Sequence, residues 1–132
     1  MTPFKSEILV RFAHCDPAGI VFYPRYLEMF NNLVEDWCRA NAIPFAEMRG
    51  GRGMGLPTVH VEVDYLAPSS MGDLLSAELT VRSAGASSIS VDIVLRGPDG
   101  ADRVRGNVVL VMIDAYTRRP IPLPEDVRAK LV

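Results

Sequence analysis

A carboxylate beside the start of a helix is the arrangement in this chain with the most chemical potential. Asp16 opens the run Asp16-Pro17-Ala18-Gly19-Ile20-Val21-Phe22-Tyr23-Pro24, with His14 and Cys15 directly before it. Helix N-termini offer unpaired backbone N–H groups and the positive end of a dipole, and both favour negative charge nearby. A reaction that develops an oxyanion uses such groups together, the carboxylate as nucleophile or general base and the amides as donors. The alternative is a simple turn, in which Asp bonds its own backbone and Gly19 takes a positive φ. The residues alone leave both open, although the apolar run Ile20-Val21-Phe22 favours a lined pocket over a solvated loop.

His14 and His60 are the two histidines of the chain. A histidine beside a reactive loop invites acid–base work, while a packed or surface histidine needs none. The stretch Gly50-Gly51-Arg52-Gly53-Met54-Gly55 lacks the Gly-Lys-Ser/Thr ending and the preceding strand of a phosphate loop. It reads as a flexible connection that borders a pocket through Met54 or Leu56. Cys15 and Cys38 have no metal-ligand spacing and read as reduced, small apolar packing residues.

These residues need a scaffold, and 132 residues suit one domain, 1–132, with a core of its own. A net charge of −2 gives no electrostatic reason to expect nucleic acid or an anionic membrane as partner. No apolar run nears the ~20 residues that span a bilayer. With sparse cysteines and no leader-like start, the expectation is a cytoplasmic protein.

Residues 6–12 alternate, with Ile8, Val10 and Phe12 on one face, and predict a first strand. A helix follows from near Pro24, a residue suited to the first helical position, and ends by Ile43 because Pro44 disfavours helical dihedrals before it. Tyr26, Leu27, Phe30, Leu33, Val34, Trp37 and Cys38 form its apolar stripe. Strands are then predicted over 58–66, 74–82, 88–96 and 103–115, with turns at Gly85-Ala86 and Gly97-Pro98-Asp99-Gly100. The last is apolar on both sides from Val108 to Ile113, which suggests burial on both faces or at a subunit contact. Strand, helix, then four strands is an α+β plan.

Order and residues together resemble the hotdog-fold thioesterases, most closely the 4-hydroxybenzoyl-CoA thioesterase family and its YbgC-type acyl-CoA relatives. The matching motif runs from His14 through Asp16, Gly19 and Val21 to Tyr26, and a weaker match joins Tyr65-Leu66-Ala67-Pro68 to Gly72-Asp73. The resemblance implies a hotdog fold, a five-stranded antiparallel sheet wrapped around one long central helix. It also implies an acyl-CoA thioesterase that releases a free acid and CoA, with CoA as part of the substrate and no metal or other cofactor. In that reading Asp16 attacks the thioester carbonyl or activates a water, and the Tyr23 amide, which has no intrahelical partner, polarises the carbonyl oxygen.

The resemblance also suggests which residues surround the substrate. His14, Gly19, Phe22 and His60 are candidates for binding it. Ser87 and Ser88 begin the strand that borders the pantetheine in relatives. Arg118 belongs with Arg82, Arg96 and Arg119 as a group available to the CoA phosphates. Phe22, Tyr23 and Phe45 suit an aromatic acyl group such as 4-hydroxybenzoyl. Relatives form dimers, often doubled to tetramers, with active sites between subunits, and unpaired sheet edges invite the same homo-oligomer here. Two rivals stand beside this reading. One is a hotdog hydratase or dehydratase, which relies on a histidine paired with a carboxylate; the other is a non-catalytic acyl-CoA binding module.

Overall fold

Strict alternation builds the centre of the sheet. Along Ser88–Arg96 the side chains of Ile89, Val91, Ile93 and Leu95 fall on one face and are fully buried, while Ser88, Ser90, Asp92 and Val94 on the other are half-buried. The computed structural model describes residues 2–131. Its strands are β1 (Phe4–Leu9), β2 (Met54–Gly55), β3 (Thr58–Tyr65), β4 (Leu74–Ala84), β5 (Ser88–Arg96), β6 (Asp102–Val111) and β7 (Ile113–Asp114). Five form one antiparallel sheet in the order β1-β4-β5-β6-β3, and β2 pairs with β7 apart from it.

One long helix, α1 (Pro24–Ala40), buries Tyr26, Met29, Phe30, Leu33, Val34, Trp37 and Cys38 in the same core as the inner face of the sheet. This is the expected hotdog arrangement. Gly106 of β6 lets the helix come close, because the ring of Phe30 occupies the space its Cβ would need. Short helices α2 (Phe45–Gly50) and α3 (Glu125–Ala129) complete the chain. Among the described residues, no helix is long and apolar enough to cross a membrane.

Differences from the sequence reading have local causes. The first strand spans Phe4–Leu9 rather than 6–12, because a 3-10 turn at Phe12–His14 begins where alternation predicted more strand. Phe12, expected on the inner face, is 81% exposed. On α1 the stripe includes Met29 in place of Leu27, which faces a groove beside β3. The glycine-rich stretch is not a loose connection: it carries the end of α2 and all of β2, and Arg52 grips both carboxylate oxygens of Asp126 at 2.8 and 3.1 Å. The predicted strand 103–115 divides into β6 and β7; β6 lies between β5 and β3, with Val108 and Leu110 buried and Val109 and Val111 half-buried.

The site end of the sheet is the end where β1 and β6 meet the connection from β3 to β4. Val10, just past β1, donates to the carbonyl of Asp73 and accepts from Gly72, both at 2.8 Å. This brings the segment that follows β1 against the segment that precedes β4. Chain geometry therefore places residues 11–23 at one end of the sheet and the mouth of α1.

Candidate active site

Local hydrogen bonds close the segment carrying Asp16 into a small hairpin. The Asp16 N–H donates to Ile20 (2.9 Å), the Gly19 N–H donates to the Asp16 carbonyl (2.9 Å), and the Phe22 N–H donates to His14 (2.9 Å). Pro17, Ala18 and Gly19 form the three-residue loop, and Gly19 at φ 80° takes the left-handed position that such a loop needs. The Asp16 carboxylate accepts the Ala18 N–H at 2.9 Å, so one oxygen is held by the loop itself. The aspartate thus makes the turn, and it stands half-buried in the hairpin that leads into the helix.

Tyr23 follows this hairpin as the cap of α1, with helical dihedrals of −52° and −36°. Pro24 occupies the first helical position and has no N–H to give. Phe22 accepts from Arg25 (2.8 Å) and Tyr23 accepts from Tyr26 (3.2 Å), but the Tyr23 N–H donates to nothing among the described residues. It is a free donor at the positive end of a helix of 17 residues.

Aromatic rings frame this donor. Tyr23 meets Phe22 and Tyr65 edge to face, with centroids 5.4 and 6.2 Å apart, and Tyr65 packs on Tyr26 at 5.7 Å. The Tyr65 hydroxyl reaches the Tyr23 carbonyl at 3.4 Å, and burial pushes its ionisation above the usual tyrosine range. Ile20, Tyr23, Tyr26, Tyr65, Leu66 and Pro68 line a pocket of about 270 Å³. Phe22 and Tyr23 are exposed around it. Tyr65 was not among the predicted site residues, although the weaker motif, Tyr65-Leu66-Ala67-Pro68, carried the signal.

Residues 10–131 match the model of the thioesterase-like superfamily. The chain belongs to that superfamily. The chain is 27% identical to a 1,4-dihydroxy-2-naphthoyl-CoA hydrolase of Synechocystis, over 94% of this chain and 92% of that protein. It is 30% identical to a protein of the same name from a Synechococcus strain, over 89% and 82%. Among solved structures, a 1,4-dihydroxy-2-naphthoyl-CoA thioesterase from Synechocystis superposes with a TM-score of 0.91 at 26% identity, covering 98% of this chain and 96% of that one. The expected thioester hydrolase is upheld. The family is placed at the level of the superfamily, and these relatives carry a different aromatic name from 4-hydroxybenzoyl.

Within this thioesterase-like chain the other predicted residues are distributed unevenly. Gly19 and Phe22 belong to the hairpin and its rim. His14 uses Nδ1 to accept the Arg11 N–H at 2.8 Å, which closes the 3-10 turn, and its ring lines a groove between β1 and α1. His60 lies on β3 with its ring 3.0 Å from the Glu62 carboxylate, exposed on the outer face. Ser87 and Ser88 stand at the opposite end of the sheet. The 11-residue strand β4, roughly 35 Å long, separates that end from the one near Asp16.

Arg118 also lies at the far end, in a turn where Asp114 accepts its N–H at 2.8 Å and its own φ is 61°. Two of the alternative phosphate ligands are engaged on the outer face, Arg82 with Asp92 (3.1 Å), and Arg96 with Glu78 (3.1 Å) and Asp102 (3.0 Å). One chain by itself does not bring Ser87, Ser88 or Arg118 to Asp16. Cys38 is buried in α1, and burial, aided by the Glu35 charge, pushes its thiol up to about 12. Such a thiol is packing and not nucleophile.

Proposed function

We propose that this protein hydrolyses the thioester of a hydroxylated aromatic acyl-CoA, of the fused-ring dihydroxynaphthoyl class rather than 4-hydroxybenzoyl. The observation that carries the reading is the pairing of the Asp16 hairpin with the unpartnered Tyr23 amide beside a pocket walled by Tyr23, Tyr26 and Tyr65. The names of the similar relatives support the acyl class, and the aromatic rings that line the pocket suit an aromatic acyl group.

The thioester carbonyl oxygen takes the hydrogen bond that the Tyr23 N–H leaves unmade. Asp16 then attacks the carbonyl carbon, or removes a proton from a water that does so. Either route builds negative charge on that oxygen, where the amide and the helix dipole act together. Such a donor contributes on the order of 3 kcal/mol to transition-state stabilisation. Collapse breaks the C–S bond, and the CoA thiolate leaves. On the water route this gives the free acid directly. On the direct route a water then cleaves the acyl–Asp16 anhydride, releasing the acid and restoring the carboxylate. No metal or further cofactor is needed for these steps.

A second copy of the chain completes this reading. The β3 edge of the sheet is unpaired, and Val59, Val61 and Tyr65 are exposed along it. Pairing two such edges covers them and supplies a route by which Ser87, Ser88 and Arg118 of one copy serve the pocket of the other.

The test is a panel of benzoyl, 4-hydroxybenzoyl, dihydroxynaphthoyl, phenylacetyl and aliphatic CoA esters ranked by kcat/KM, with Asp16→Asn beside the wild type. The dihydroxynaphthoyl ester is expected to rank first. In Asp16→Asn, thiol release should fall by about 10³-fold or more while the ester still binds. Unchanged turnover removes Asp16 from the mechanism, and binding without turnover by the wild type leaves the non-catalytic module standing.

A further inference from the structure

Arg103, near the start of β6, carries a guanidinium that is largely withdrawn from solvent, its side chain 14% exposed. One of its terminal nitrogens donates to three groups in the segment between β3 and β4: the Pro68 carbonyl (3.0 Å), the Ser69 hydroxyl (3.2 Å) and the Asp73 carboxylate (3.2 Å). The Arg103 carbonyl accepts the N–H groups of Leu66 (2.8 Å) and Ala67 (3.2 Å) from the same segment. Gly97 makes room for this side chain, since any Cβ there would collide with the guanidinium.

That segment touches the site on two sides. The Ser69 carbonyl accepts the Val21 N–H at 3.0 Å, and the Met71 N–H donates to the Gly19 carbonyl at 3.2 Å, so both strands of contact end in the Asp16 hairpin. Leu66 and Pro68 line the same pocket as Tyr23. Ser69 is the one polar residue fully buried among the described residues, and its hydroxyl depends on Arg103 for a partner. Asp73 adds a second tie by accepting the Ser70 N–H at 2.9 Å.

We infer that Arg103 is a positioning residue for the thioesterase reaction: it holds the segment 66–73, and through that segment it sets where Asp16 stands relative to the Tyr23 amide. This rests on the reading of Asp16 and Tyr23 given above. Arg103 does not touch the hairpin; its effect passes through Ser69 and Met71. Lysine keeps the charge on a single nitrogen but loses the planar fork whose second terminal nitrogen faces Asp99 at 3.5 Å, so the two residues are not equivalent here. Hairpin placement matters to rate because a shift of about 1 Å at the reacting groups costs on the order of 10²-fold.

The experiment compares the full-length wild type with Arg103→Met, Arg103→Lys and Ser69→Ala, reading amide hydrogen exchange and steady-state kinetics on the best ester of the panel. In Arg103→Met the Val21 and Asp16 amides should exchange about tenfold faster or more, with the β5 amides unchanged. Its kcat should fall by about 10- to 100-fold with KM within a few-fold, and Arg103→Lys should restore part of the loss. Should the Met variant not fold, Ser69→Ala carries the test, because it keeps the carbonyl that holds Val21 and removes only the hydroxyl. It should lower kcat several-fold at an unchanged KM.

Unchanged exchange of the hairpin amides in the folded variants overturns the inference. So does a loosened hairpin with kcat within about twofold of wild type, which is what a purely structural role gives. A wild type that releases no thiol from any ester fails differently: it overturns the thioesterase reading, and the positioning role with it, whatever the exchange rates show.

Discussion

The ring of Phe30 in α1 stands where a methyl group on Gly106 of β6 would have to go, and the Glu62 carbonyl would lie 3.1 Å from the same methyl. Helix and sheet meet there with the Phe30 ring packed directly on the backbone of the strand. Because α1 also carries the Tyr23 amide at its first turn, the depth at which the helix sits in the sheet sets the depth of the site. Gly106→Ala should destabilise the fold by about 1–3 kcal/mol through overpacking. Equilibrium unfolding should show a lower denaturant midpoint at an unchanged slope. A midpoint equal to wild type would mean that the ring moves aside freely.

The other end of α1 holds strain that a single substitution relieves. Ala42 donates to Arg39 at 3.1 Å and Ile43 donates to Cys38 at 2.9 Å, the paired bonds that end many helices over a left-handed residue. That residue is Ala42, at φ 60°, where glycine is usual. Ala42→Gly should stabilise the protein by roughly 1 kcal/mol, the left-handed penalty of a β-carbon less the entropy glycine adds to the unfolded chain. A rise of a few degrees in Tm checks it, and a fall would show that the entropy term wins.

Acid should loosen the segment that Arg103 holds. The Ser70 N–H and then the Arg103 guanidinium hold the Asp73 carboxyl below its usual value of 3.8. A carboxyl lowered in the folded state adds stability that is present above the unfolded value, about 3.9, and is lost as pH falls through the lower folded value. Wild type should therefore lose stability below about pH 4, and Asp73→Asn should lose less over the same interval. Denaturant midpoints measured from about pH 6 to about pH 2 decide it. Parallel curves for the two proteins would show that Asp73 contributes nothing to the acid response.

Much of the site was legible before folding was considered. Asp16, Gly19 and Tyr23 are held by neighbours a few positions away, so turn residues, a proline at the helix start and the apolar run were enough to single them out as candidates. The central strand Ser88–Arg96 and the helix start at Pro24 were equally clear, because alternation and capping are local signals. Local signals failed at Phe12, where a 3-10 turn capped by His14 ended the alternation. They failed also in the glycine-rich stretch, whose order comes from β7 and from Asp126, both far along the chain.

By itself the sequence determined the Asp16 hairpin and the α+β plan, since hydrogen bonds within one short run and the period of the apolar residues specify both. Only the tertiary structure decided which residues share an end of the sheet. Strand register puts Val10 beside Asp73 and Leu9 opposite Leu74, and carries Ser87 and Ser88 to the far end. No spacing in the sequence announces that Arg103 meets Ser69, because that contact exists only once β6 has paired with β3 and the segment 66–73 has closed over it. Asp16 and Tyr23 are readable as a local pattern. The support that places them is not, because its members meet only through long-range pairing.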